Sequence, residues 1–503
     1  EIRYRCASGD SLALARLYSL GGLMCSIRGA EIAMIFRESL SAFSPVHTIG
    51  RQMTEAIRLQ LGLNKREAHE KAISLLQRVD IPDPTAVIAR YAFECSAGMR
   101  QRLMLAMALI CQPRLLIADE PTSGMDLVAQ AEILHLIRRL QMETGMALLF
   151  MTHDLSVAAE IADRIGILEA GRLLELGSAD EIFASPQQDY TRALVDALSR
   201  LETSPRQAKG GTMGAKKLME VLSLSKIFAS RPVFLGGRNN APCKALDKVS
   251  FDLHEGENLG LVGESGSGKT TLRDCLVRLQ APSSGELLYR LASGLVANLS
   301  VPDREELCAA RQEIRLVFRD PMVAFSSHLT VAQVLKEALP SADKRDEQAL
   351  YLRLCELLAM VGLSPQVLDA YPHAFTASQL QRIAIARALA TRPRLIIADQ
   401  VTSTLEAAER TAILDLLLTL QQLLGLSFIL ISPDIREALY FCDRVAVIYR
   451  GQLVEQGSAA QIRSQPEHPY TKALIAAVPG VSPRARRTMN RPASVVDGQP
   501  CST

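Results

Sequence analysis

Residues 258–271, NLGLVGESGSGKTT, decide the fold. An apolar run that reads as a buried strand leads into Gly263-Glu264-Ser265-Gly266-Ser267-Gly268-Lys269-Thr270-Thr271, and a helical pattern follows. Strand, glycine-rich loop and helix in that order are the context in which GxxxxGK[ST] reads as a phosphate-binding loop. The glycines permit a tight turn, and backbone N–H groups and a helix N-terminus then face the phosphates. Lys269 is placed to reach the β and γ phosphates, and the Thr270 hydroxyl to ligate Mg²⁺.

Outward from this loop the chain repeats itself. QPRLLIADE at 112–120 returns 280 residues later as RPRLIIADQ at 392–400, with six of nine residues identical. The segment beginning GRLLELGSADEIF at Gly171 matches GQLVEQGSAAQIR at Gly451 at the same offset. One domain is therefore written twice. EIRYRCASG at 1–9 matches ELLYRLASG at 286–294, so the first copy begins inside the domain and its phosphate loop is expected to be absent rather than mutated. A start at Glu1 fits a fragment or an interrupted reading frame. The expected organisation is a first nucleotide-binding domain over 1–201, a linker over 202–217, a second domain over 218–480 and a disordered tail over 481–503. Each copy alternates apolar runs with helical patterns, which predicts an α/β fold on a largely parallel sheet.

The apolar strands LLIAD and LIIAD end on Asp119 and Asp399, at the sheet edge where ligands bind in such folds. Both aspartates are candidate Mg²⁺ ligands, and Glu120 is a candidate to polarise the attacking water. Alone, an acidic pair after a strand is more often a solvated turn; its repetition favours a site.

Composition narrows the partners. The 503 residues carry 56 Lys and Arg against 54 Asp and Glu, so the net charge of +2 gives no broad footprint for nucleic acid. The ten cysteines have no CxxC pair and read as reduced cytosolic thiols. The most apolar stretch, residues 413–431, is interrupted by Asp415, Thr419, Gln421, Gln422 and Ser427 and fails as a membrane span. No signal peptide is recognisable either. The chain is expected to be soluble and to reach a membrane only through a partner.

These residues resemble the ABC ATPases, and within them the dipeptide, oligopeptide and glutathione importer branch. YAFECSAGMRQRLMLAMALICQPRLLIADEPTSGMD looks like that branch's signature helix, Walker B strand and D-loop, and TGMALLFMTHDLSVAAEIADRIGIL like its switch region with His153. SPQQDYTRALVDAL and QPEHPYTKALIAAVPG resemble its C-terminal extension. The resemblance implies two tandem P-loop domains, each a RecA-like α/β core with a helical subdomain, and ATP and Mg²⁺ as cofactors. It implies two transmembrane permease subunits and a periplasmic substrate-binding protein as partners, at the cytoplasmic face of a bacterial inner membrane. It also implies an intramolecular pseudo-dimer, with ATP held between the P-loop of one domain and the signature motif of the other. Phe228 occupies the place of the aromatic that stacks on adenine, although an aromatic before a strand is equally often core.

The sequence departs from the family at catalytic positions. The Q-loop glutamine is Arg37 in one copy and Arg319 in the other, which predicts a cation that weakens metal binding. LSGGQ reads Cys95-Ser96-Ala97-Gly98-Met99 and Phe375-Thr376-Ala377-Ser378-Gln379. The second copy has Gln400 for the catalytic glutamate, Pro433 for the switch histidine and Glu406 for the D-loop aspartate. One implied site combines Lys269, Thr270, Asp399 and Gln400 with Ser96 and Gly98, and is expected to bind ATP and hydrolyse it poorly. The other combines Asp119, Glu120 and His153 with Thr376 and Gln379 and lacks a P-loop. Relaxed constraint in a decaying gene and an asymmetric ATPase with one silent site both stay open. A non-hydrolysing regulatory or vestigial protein, and a soluble tandem ATPase acting on ribosomes or DNA, are the rival functions.

Overall fold

The computed structural model describes residues 3–5, 11–19, 21–37, 40–203, 216–228, 243–340 and 346–479. Most of the expected linker and the whole 481–503 tail lie outside the described residues. The chain forms two compact units, Glu1–Glu181 and Ile182–Thr503.

The second unit is built on a six-stranded sheet. Its order runs Ile314–Val317, Leu395–Asp399, Ser427–Ser432, Asn258–Val262, Arg444–Tyr449 and Gln452–Ser458, parallel except for the last strand. Strands Asn258–Val262, Leu395–Asp399 and Ser427–Ser432 are buried at every residue. Continuous apolar strands without alternation are what a parallel sheet covered on both faces requires. A four-stranded antiparallel sheet adds Val296–Asn298, Ser284–Arg290, Lys217–Phe228 and Cys243–His254, in that order. The helical subdomain comprises Val331–Ala338, Glu347–Met360 and Ala377–Leu389. Thr330 with Gln333 and Thr376 with Gln379 start two of these helices through capping boxes, an arrangement local sequence dictates.

The first unit repeats part of this plan. Ile32–Ile35, Leu115–Asp119 and Ala147–Met151 form a three-stranded parallel sheet, and Arg164–Glu169 pairs with Arg172–Ser178 as a separate hairpin. In the second unit Asn258–Val262 joins the corresponding elements by pairing with both. Among the described residues of the first unit no strand fills that place. Leu149 is accordingly 53% exposed, whereas its counterpart Ile429 is fully buried.

The units divide at Glu181/Ile182, so helix Asp189–Thr203, placed by sequence at the end of the first domain, lies with the second. It packs on helices Ala407–Leu424 and Ile435–Phe441. Arg200 Nη2 donates to Asp415 Oδ2 at 2.8 Å, and Leu198 and Leu201 are buried. No disulfide joins the described cysteines, and none of the described helices is long and apolar enough to cross a membrane. Leu198→Ala should destabilise the second unit by about 3 kcal/mol. Denaturant unfolding of the full chain checks this, and an unmoved second-unit transition would show that the helix does not belong to that core.

Candidate functional site

The phosphate loop turns where Asn258–Val262 leaves the centre of the sheet and helix Lys269–Leu276 begins. Its glycines are demanded by space and by backbone shape. A Cβ on Gly263 would lie 2.1 Å from the Ile448 carbonyl oxygen; Gly268 has φ +101, and a Cβ there would lie 2.5 Å from the Ala245 carbonyl oxygen. Lys269 is buried, and its Nζ donates to the Gly263 carbonyl at 2.7 Å, the Glu264 carbonyl at 2.5 Å and Ser267 Oγ at 3.1 Å. The loop thus holds the ammonium within its own curve, while Thr270, Ser265 and Gly266 are exposed and Thr271 is half-buried.

Asp399 ends the strand two places away, separated from the loop strand by Ser427–Ser432. Its carboxylate is buried, and Oδ2 accepts a short hydrogen bond from Nη1 of Arg273. Burial pushes the Asp399 carboxyl up, and the adjoining Arg273 guanidinium opposes that shift. The cation beside this acid is therefore Arg273, whereas Arg319 is exposed. A divalent ion would meet a cation already in place here: Asp399 Oδ2 is paired with the Arg273 guanidinium, and Gln400 and Arg319 add no negative charge, while Asp399 Oδ1 is buried without a hydrogen-bond partner and Thr270 is exposed on the loop. Among the described residues no group of three His, Cys, Asp or Glu side chains forms a metal cage.

The catalytic positions keep their backbone in both copies. Glu120 has φ 41 and Gln400 φ 50, a left-handed conformation uncommon outside glycine, and their N–H groups donate to Met151 and Ile431 carbonyls. In the first unit His153 Nδ1 lies 3.1 Å from Glu120 Oε1. Arg37 Nε lies 3.2 Å from Glu120 Oε2 without hydrogen-bond alignment. Asp119, Glu120 and His153 thus gather at the ends of adjacent strands, and among the described residues no cation is paired to Asp119. In the second unit Pro433 takes the histidine's place.

A carboxylate that sequence reasoning missed lies next to it. Glu437 is 3% exposed, and Thr402 Oγ1 and Ser432 Oγ both donate to it at 2.6 Å. Burial, with Asp434 adding repulsion, pushes its pKa up. The signal was available, because the first copy has apolar Val157 at this position. Arg273 was equally legible as a charge one helical turn beyond Lys269.

Ser96 caps helix Ala97–Ala108 by accepting from Met99 N at 3.3 Å, and Thr376 with Gln379 caps the equivalent helix. A Cβ on Gly98 would meet no atom within 4 Å, so the unit's own packing does not require glycine there. Asp126 caps the next helix through Ala129 N at 2.9 Å, a bond Glu406 does not make in the second unit. Phe228 ends an antiparallel strand half-buried, with Lys226 Nζ 5.3 Å from its ring centroid. A cleft of about 450 Å³ lies between the phosphate-loop helix and the helical subdomain, lined by Leu276, Leu279, Ile314, Phe318, Phe325 and Arg387 among others.

The ABC transporter family model matches residues 17–123 and 246–403, and the model of the oligopeptide/dipeptide transporter C-terminal region matches 174–231 and 454–500. Curated relatives include the glutathione import ATP-binding protein GsiA of Shigella flexneri and of Escherichia coli strain K12. Each is 39% identical over 485 residues, covering 92% of this chain and 77% of the relative. Similar solved structures include cbiO1 of Clostridium perfringens (TM-score 0.41, 25% identity, 50% of this chain and 91% of that one). The ATP-binding cassette MJ0796 bound to ADP and Pi is another (TM-score 0.41, 25% identity, 48% and 99%).

Glu437→Gln removes the charge and still accepts from one of the two hydroxyls, while the other must turn to accept from the amide NH2. A buried acid with a raised folded pKa supports the fold below the ordinary carboxyl range and loses that support as pH rises through the folded value. Wild-type stability of the second unit should therefore fall more steeply than that of E437Q as pH rises above the ordinary carboxyl range, and E437Q should be the more stable at high pH. Parallel denaturant curves for both proteins would contradict this.

Proposed function

Because the chain belongs to the ABC transporter family, in the group that carries the oligopeptide/dipeptide C-terminal region, we propose that it is the ATP-binding subunit of an importer for short peptides of the glutathione kind. The family works with ATP and Mg²⁺. The observation that carries the reading in this chain is the second unit's loop, with Lys269 buried at the end of the central strand and glycines where a Cβ would collide. Phosphates of ATP would take the place of the loop's own carbonyls as neighbours of the Lys269 ammonium, and Phe228 would flank the base.

Transport requires permease subunits, with a substrate-binding protein delivering the peptide, and we place the permease contact at the cleft beside Phe318 and Phe325. Exposed Met322 and Val323 stand on the short helix Pro321–Ala324 that carries this rim. Through those partners the subunit would lie at the cytoplasmic face of the inner membrane. Hydrolysis in the second unit is slow on this reading, because Gln400 accepts no proton and Pro433 supplies no imidazole.

Purified full chain should bind ATP, and Lys269→Ala should weaken binding by roughly tenfold or more by removing a charge-assisted phosphate contact. Turnover with permease partners present should stay below about 1 per second. Equal affinity of wild type and K269A would overturn the site assignment, and fast turnover would overturn the impaired-hydrolysis reading.

A further inference from the structure

Arg273 follows Lys269 by one helical turn, so both side chains leave the same face of helix Lys269–Leu276. Its guanidinium is fixed on several sides. Nε and Nη2 donate to Asp274 Oδ1 at 2.9 and 2.7 Å, Nη1 donates to Asp399 Oδ2, and the Phe318 ring centroid lies 5.9 Å from Cζ. Its side chain is 15% exposed and that of Asp399 4%, so this is a desolvated pair rather than a surface contact. Three of the five guanidinium N–H groups are used, which leaves two for a further acceptor.

Asp399 is the acid through which a divalent ion would be held; its Oδ2 is taken by Arg273, a guanidinium it shares with Asp274, and its buried Oδ1 has no hydrogen-bond partner. A divalent cation there would add like charge beside a fixed guanidinium in a buried setting, where repulsion is least screened. A guanidinium offers phosphate oxygens much of what a bound cation offers, a permanent positive charge with planar N–H donors. Lys269 contributes a second cation close enough to act on Asp399.

We propose that the second unit binds nucleoside triphosphate free of its divalent ion, with the Arg273 guanidinium standing in the metal's place between Asp399 and the phosphates. This rests on residues 263–271 being an ATP site, as argued above. It separates binding from chemistry: the arginine can neutralise phosphate charge, but it brings no ordered water to an attacking position.

Equilibrium binding of a fluorescent ATP analogue to the full chain, in Mg²⁺ and in excess EDTA, tests the proposal. Wild type should bind about equally in both buffers, whereas Arg273→Leu should lose roughly tenfold or more in EDTA. Since that variant leaves Asp399 buried without its cation, Asp399→Asn is measured beside it and should still bind in EDTA. Electron paramagnetic resonance with Mn²⁺ and ATP supplies a direct reading of metal, and wild type should show no protein-held ion. A wild-type requirement for Mg²⁺ of tenfold or more, or a protein-held Mn²⁺ signal, would overturn the inference and leave the ATP site standing. No nucleotide binding in either buffer, or binding unaffected by Lys269→Ala, would overturn the ATP-site reading and the inference with it.

Discussion

Strand Asn258–Val262 is hydrogen-bonded on both edges, to Ser427–Ser432 and to Arg444–Tyr449, and every one of its residues is buried. A strand so enclosed can end only where its neighbours end, so it delivers the glycine loop and Lys269 to the same edge of the sheet that receives Asp399. The collision that a Cβ on Gly263 would make with Ile448 is part of the same constraint, since the loop turns tightly against the adjacent strand. Among the described residues of the first unit no strand holds that place. Its parallel strands and its hairpin stay in separate sheets, and Ala147–Met151 is half exposed where Ser427–Ser432 is wholly buried.

Around that frame the two copies have diverged in side chains more than in backbone. Glu120 and Gln400 share the left-handed turn and the same hydrogen bond to the neighbouring strand, yet one is an acid beside His153 and the other an amide beside Pro433. Ser96 and Thr376 both still cap their helices. The second unit also carries buried charge: Arg273 on Asp399, and Glu437 between Thr402 and Ser432. A buried ion pair or a satisfied carboxyl is weak evidence for stability, and groups so placed cluster at functional sites.

Features set by local sequence were legible in advance. The repeat, the strand-loop-helix around Lys269, and the acids closing LLIAD and LIIAD all follow from patterns a few residues long. What escaped depends on tertiary choice. Helix Asp189–Thr203 reads as the end of its own copy, but its buried Leu198 and Leu201 lie with the second unit, a choice of partner that periodicity does not encode. The Q-loop arginines drew attention as cations near the metal; in the fold Arg37 meets Glu120, Arg319 is exposed, and the guanidinium on the strand-end acid comes from Arg273. A pairing 126 residues apart is invisible to motif spacing, although the helical register of Arg273 with Lys269 points the right way.

On the proposed reading, one loop of the second unit, around Lys269, holds the nucleotide among these 503 residues. Calorimetric titration of the purified chain with ATP tests that most directly, because the heat reports the number of sites without requiring turnover. One nucleotide per chain is the predicted result; two per chain, at comparable affinity, would contradict it.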